Sequence, residues 1–268
     1  MRGLVANVQA GALIAWRTLP ELGSPALVVV RLVLVPGFTA LFYLAIASRG
    51  DLGDASFGDA LAAACVAAGV AAAVSCATLL SFDRFEGTTE QWALADRRAA
   101  SLVSIGRNAV VLAFGFCSGV SSILALAAFR AVDLRDDGRV GLAVACLLVA
   151  SLSGVGLGLF VGVVSATMRD SLLLVNLTEL GLPVFAGAAA AITNLPAPAF
   201  WLAAALPTGW VTEAARSAGA AHSAGAAQPA SGYLVAALVT GAVWAAAAVA
   251  LGAARARRRR DGRSVATF

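Results

Sequence analysis

The chain has 268 residues, 60% of them hydrophobic and 13% charged, with a mean hydropathy of +0.87 and a formal net charge of +4. A soluble domain carries about 25% charged residues, so this composition excludes a water-soluble enzyme and fits a lipid bilayer as solvent. All 19 basic residues are arginine, which excludes a Walker A loop and Schiff-base chemistry, both of which need lysine.

Residues 1–24 differ in character from the rest of the chain. Leu4, Val8, Ala12, Ala15 and Leu19 recur near helical spacing, with Arg2, Gln9 and Arg17 elsewhere and Trp16 suited to an interface. The pattern reads as an amphipathic helix along the inner membrane face, or else as a disordered leader. Pro20 and Pro25 then turn the chain inward.

A spanning helix takes about 20 mainly apolar residues. Six stretches qualify: Pro25 to Ser48, Gly58 to Leu80, Asn108 to Phe129, Val140 to Val164, Leu172 to Ile192 and Gly232 to Ala254. Ala45-Ile46-Ala47 has the form of a signal cleavage site, but the segment before it is long and carries Arg31 and Pro36. It reads as a retained first span. The four cysteines, Cys65, Cys76, Cys117 and Cys146, fall in apolar runs without a Cys-x-x-Cys pattern, as small hydrophobes do and metal or disulfide sites do not.

Between the second and third spans lies a polar stretch, Ser81 to Arg98. Thr88 followed by Gln91 has capping-box form and Gly87 permits the preceding turn, predicting a short helix from about Thr89. Farther on, Gly154, Gly158 and Gly162 form a small-residue ridge that allows close helix packing, with Gly115 and Gly119 a shorter one. Glu179, beside Asn176 and Thr178, sits near mid-depth of the fifth span, where a charge costs several kcal/mol. It either pairs with a neighbouring helix, Arg31 of the first span included, or contacts a substrate; Arg31 lies nearer the inner face and can also snorkel. Ala197 to Ala205, bounded by Pro196, Pro198 and Pro207, is too short to cross and reads as a re-entrant or interfacial piece. The Ala/Gly/Ser-rich loop from Ser217 to Ser231, with the single histidine His222, reads as a spacer and offers no metal or catalytic pair.

With both termini inside, the inner segments hold Arg2, Arg17, Arg84, Arg97, Arg98, Arg107, Arg169 and six arginines from Arg255 to Arg263. The outer segments hold Arg49, Arg130, Arg135, Arg139 and Arg216. That asymmetry satisfies the positive-inside rule. The run Arg257 to Arg260 reads as an anchor to anionic membrane lipids, and no nucleic acid is expected as a partner.

Several motifs together carry a resemblance. Glu86-Gly87-Thr88-Thr89-Glu90 after the second span, Gly106-Arg107 entering the third, the Gly154 to Gly162 run leading to Ser165 to Asp170, the proline-bounded Asn194 to Pro207, and Val211-x-Glu213-Ala214-x-Arg216 occur in an order that resembles permease subunits of ABC-2 type exporters. The resemblance covers nearly the whole chain. It implies an all-α integral membrane fold: six transmembrane helices with an N-terminal interfacial amphipathic helix (1–24), a cytoplasmic coupling helix and an external re-entrant helical hairpin before the last span. The transmembrane domain would span 25–254 and a basic cytoplasmic tail 255–268, in the cell's inner or plasma membrane.

The resemblance further implies that the chain is no enzyme. ATP and Mg would be bound by a separate ABC ATP-binding subunit, with no cofactor in this chain, and a second copy or sister permease would complete the pathway. Glu86, Gly87, Thr88, Glu90 and Gln91, with Arg169 and Asp170 close by, would contact that ATPase. Arg31, Asn176, Thr178 and Glu179 are the intramembrane candidates for substrate contact. The expected activity is export of a hydrophobic or amphipathic compound such as a drug, an antibiotic, a lipid-like molecule or a peptide. Two other classes compete. A secondary transporter or channel without an ATPase would show inverted repeats, and the two halves show no convincing similarity. An intramembrane enzyme would need histidine, paired carboxylates or a metal site, and only His222 and the isolated Glu179 are at hand.

Overall fold

The computed structural model describes residues 2–48, 50, 56–85, 97–129, 137–188, 190–224 and 230–260. Helix α1 (Arg2–Thr18) stops ahead of Pro20, which opens a single 3-10 turn. Helix α2 (Pro25–Ala47) then starts at a proline in the first helical position, with the Ser24 hydroxyl accepting from the Leu27 N–H at 3.2 Å. It is α-helical apart from one π turn, Val30–Leu34, placed just before Pro36, a residue with no N–H for the helical ladder.

Helix α3 (Phe57–Phe85) is the centre of the bundle. Its first turn is closed by Ser56 and Asp59: the Asp59 N–H donates to Ser56 Oγ at 3.1 Å, and that hydroxyl donates to Asp59 Oδ2 at 2.6 Å. Alanines face outward in several directions from it, with Ala60, Ala63, Ala64, Ala68, Ala72 and Ala77 all fully buried. A helix so thin lets neighbours approach from every side. Helices α4 (Arg97–Ala128) and α5 (Asp137–Ser165) pack directly on it.

The chain continues through α6 (Leu173–Phe185), α7 (Ala197–Ala205) and α8 (Pro207–Ala224) to α9 (Ala230–Arg260). One core cluster joins Leu61 and Cys65 of α3 to Cys146 and Leu147 of α5, Val211 of α8 and Ala237 of α9. A second joins Ala15 and Leu19, at the end of α1, to Cys76 and Leu79 of α3 and Val111 of α4. Among the described residues five helices, α2, α3, α4, α5 and α9, are long and apolar enough to cross a membrane. The best apolar window of α3 is 83% buried, against 22% in α2 and 17% in α9; those outer helices turn Phe38, Phe42, Val243 and Val249 outward, as lipid or a second subunit requires.

Three expectations need revision. The stretch Leu172 to Ile192 is not one long helix: α6 has 13 residues, about 20 Å, well short of a hydrocarbon core of about 30 Å. Pro183 lies in its last turn, and Gly187, at φ 75°, reverses the chain beyond it in a region open chiefly to glycine. The Ser217 to Ser231 spacer is instead helical through Ala224, and α9 already begins at Ala230, because alanine is the strongest helix former whatever its company. The third long helix starts at Arg97, eleven residues before Asn108, so the basic approach to the span is itself helix.

Candidate functional site

At one end of the bundle α1 lies across α4. A Cβ built at Gly11 would fall on the Val103 carbonyl, and one built at Gly106 on the Val8 carbonyl. Two glycines therefore set the crossing, and the second is the Gly106 of the Gly106-Arg107 motif. The adjacent Arg107 turns toward α3, where its Nη1 donates to Asp83 Oδ2 at 2.7 Å and its Nη2 to the Leu79 carbonyl at 3.4 Å. Both side chains are about nine-tenths buried. The pair ties the last turn of α3 to the first third of α4, the two helices that bracket residues 86–96. Glu86, Gly87, Thr88, Glu90 and Gln91 themselves lie outside the described residues.

The same end carries the turn between α5 and α6. Asp170 closes the turn that leads into α6, its Oδ1 accepting from the N–H groups of Leu172 at 3.0 Å and Leu173 at 3.2 Å. Arg169 and Asp170 are both exposed. Arg255 of α9 donates to the Val163 carbonyl at 2.5 Å and to Thr167 Oγ1 at 3.4 Å, which holds the C-terminal end of α5 by a cation where orphan carbonyls favour one.

Midway along the helices a cavity of about 280 Å³ opens between α2, α3, α4 and α6. Arg31 and Glu179 stand in its wall, with Arg31 Nη1 3.4 Å from Glu179 Oε1. Val35, Val70, Val74, Phe114 and Leu180 make most of the rest apolar, and Thr39, Tyr43 and Ser75 add hydroxyls. Asn176 and Thr178 do not line it: Asn176 is exposed, and the Thr178 hydroxyl donates to the Leu174 carbonyl of its own helix at 2.8 Å. Gly154, Gly158 and Gly162 all face α3. A Cβ at Gly154 would meet the Gly69 carbonyl at 2.5 Å, one at Gly158 the Ala73 carbonyl and Cys76, and one at Gly162 the side chain of Leu80.

The opposite end holds a network whose pairings the sequence does not mark. Arg216 of α8 donates through Nε to Asp59 Oδ1 of α3 at 3.0 Å, and through its two Nη atoms to the carbonyls of Ala190, Gly187 and Ala188. Glu213, one turn before it, accepts from the Ile192 N–H through Oε1 at 2.5 Å and stands 3.9 Å from the same guanidinium. The two charged residues of the Val211-x-Glu213-Ala214-x-Arg216 motif thus hold the turn after α6 by its backbone, and Asp59 fastens that assembly to α3. Two indoles complete this region: Trp210 Nε1 donates to the Ala204 carbonyl and Trp244 Nε1 to the Ala205 carbonyl, each at 2.8 Å, serving the unpaired end of α7. Among the described residues no cluster of three or more metal-ligating side chains occurs.

Residues 7–218 match the family described as ABC-2 type transporter. No curated protein and no solved structure matches the chain.

Proposed function

The chain belongs to the ABC-2 type transporter family, and on that premise we propose that it is the permease of an ATP-driven exporter moving hydrophobic or amphipathic compounds out of the cell. As a family member it is a multi-pass membrane subunit whose expected partner is an ABC ATP-binding protein. The observation that carries the reading is the family match over residues 7–218, laid on a bundle with five membrane-capable helices.

The arginine asymmetry supports termini on the cytoplasmic side. In that orientation the α1–α4 crossing, the Asp83–Arg107 pair and the Arg169-Asp170 turn face the ATPase. Residues 86–91 supply the coupling contact, and Asp83–Arg107 keeps the helices on either side of it at fixed spacing. Movement of the ATPase is then passed to α3, the helix on which most of the bundle rests. The cavity's apolar walls and its few polar groups support a cargo that partitions into the membrane. A second permease, identical or related, covers the apolar outer face of α2.

Transport in inverted vesicles tests the proposal. Vesicles holding the chain with its ATPase should accumulate a lipophilic dye when ATP is supplied, and should lose that uptake when Glu86 and Glu90 are both changed to alanine. Uptake driven by a proton gradient in vesicles lacking any ATPase would establish the secondary-transporter reading instead.

A further inference from the structure

We propose that the cavity bounded by Arg31 and Glu179 is a binding site for amphipathic amines, with the Glu179 carboxylate receiving the ligand's protonated nitrogen. The inference rests on the permease reading and deepens it by naming a class of cargo.

The ion pair is built differently from the Asp83–Arg107 pair at the end of α3. Arg31 and Glu179 meet through one contact of 3.4 Å and leave 48% and 40% of their side chains accessible, whereas Asp83 and Arg107 meet at 2.7 Å with about a tenth accessible. A pair this open can be entered by a ligand. Its long contact also makes Arg31 an easily displaced partner, since hydrogen bonds weaken steeply at such separations.

The sign of the ligand is set by the fate of each partner when released. Arg31 stands in the second turn of α2, six residues after Pro25, so about 9 Å of helix separates it from the helix start. Its long side chain reaches the membrane interface from there without losing its charge to the interior. Glu179 stands as far from the start of α6, six residues after Leu173, but its side chain is shorter and reaches less far. A cation bound at Glu179 therefore strands no charge, while an anion captured by Arg31 would leave the carboxylate unpaired at membrane depth.

The cavity's other polar groups agree. Pro36 and Pro183 both line it and bring no N–H donor to its wall. Apart from Arg31, the side chains that line the cavity with a polar atom are the Glu179 carboxylate and the hydroxyls of Thr39, Tyr43 and Ser75, each able to accept from an ammonium group. Val70, Val74 and Phe114 receive an apolar body, and about 280 Å³ holds a small one.

The test measures binding to the purified full chain in lipid nanodiscs, without ATP or an ATPase, with empty nanodiscs subtracted. The probes are a dansyl-tagged alkyl amine, its uncharged N-acetyl derivative and the matching carboxylate. The amine is expected to bind about tenfold or more tightly than the acetylated form. Glu179→Gln should abolish that preference, while Arg31→Gln, which removes the competing cation, should keep or raise it. If Glu179→Gln alone fails to fold, the double variant Arg31→Gln/Glu179→Gln leaves no unpaired charge and should likewise show no amine preference. Equal binding of the amine and its acetylated form, preference for the carboxylate, or an amine preference that survives the loss of Glu179 overturns the proposal. Because no ATPase takes part, failure here leaves the permease reading standing, and a missing ATPase partner leaves this result standing.

Discussion

Arg107 and Asp83 form a buried ion pair, Nη1 to Oδ2 at 2.7 Å, between the last turn of α3 and the start of α4. Their separation in sequence is 24 residues, and the stretch expected to contact the ATPase lies inside that interval. Immediately before Arg107, Gly106 gives α1 its seat against α4. One short segment of α4 therefore binds α1 on one side and the end of the central helix on the other. Breaking the pair by Asp83→Ala should leave the buried Arg107 guanidinium without its carboxylate and cost about 3–5 kcal/mol, read as a fall in melting temperature. The double variant Asp83→Leu/Arg107→Leu should recover most of that stability, yet stay poor in ATP-dependent transport because apolar packing alone then holds the two helix ends and no directional contact fixes them.

The glycine ridge of α5 gives a graded prediction. Gly158→Val puts branched carbon where the Ala73 carbonyl and Cys76 already stand, and overpacking of this kind costs about 1–3 kcal/mol. Gly141 of the same helix has open space at its Cβ position. Gly141→Ala should be neutral or gain up to about 1 kcal/mol from helix propensity. Thermal unfolding of the two variants in one detergent separates packing from propensity.

Arg216 serves Asp59 and three backbone carbonyls at once. Arg216→Ala should release the turn after α6, expose it to limited proteolysis and destabilise the protein by about 3 kcal/mol or more. Arg216→Lys should restore only part, because an ammonium cannot reproduce the planar fork. Asp59→Asn is milder, at about 1 kcal/mol, since a third of that side chain is open to solvent.

Trp244 predicts a smaller and more specific effect. Trp244→Phe keeps the ring contact with Phe160 but removes the donor to the Ala205 carbonyl. The expected loss is about 1 kcal/mol, with faster amide exchange confined to α7 and the chain just beyond it.

Much of the fold is legible in the sequence because the bilayer imposes a simple rule: apolar runs of the right length become helices. The five long helices follow from hydropathy alone. Leu172 to Ile192 fails that rule because its apolar composition continues past the helix. Only Pro183 and the positive φ of Gly187 mark the stop, and proline and glycine are common enough in membrane helices to be passed over. The Ala/Gly/Ser loop after Ser217 errs in the other direction, since low complexity resembles a linker although alanine builds helix.

The charged sites divide in the same way. Glu179 stands out from a single span because an isolated charge there needs a reason. Arg31, 148 positions away, is a natural partner on the same grounds. Asp83 with Arg107 and Asp59 with Arg216 lie at span ends, where charges are ordinary, and nothing in their spacing announces a pair. Their burial comes from how the helices cross, which depends on Gly106 and the alanines of α3 for the first pair and on Gly58 and Gly219, where α3 meets α8, for the second.

The proposed permease depends on an ATPase seated on residues 86–91. Affinity purification of the tagged chain in mild detergent, with mass spectrometry of the proteins that accompany it, puts that dependence to the test. A stoichiometric ABC ATP-binding subunit is expected, lost when Glu86 and Glu90 are changed to alanine and retained in Asp59→Asn. A folded, transport-active chain that purifies without any ATPase would contradict the proposal.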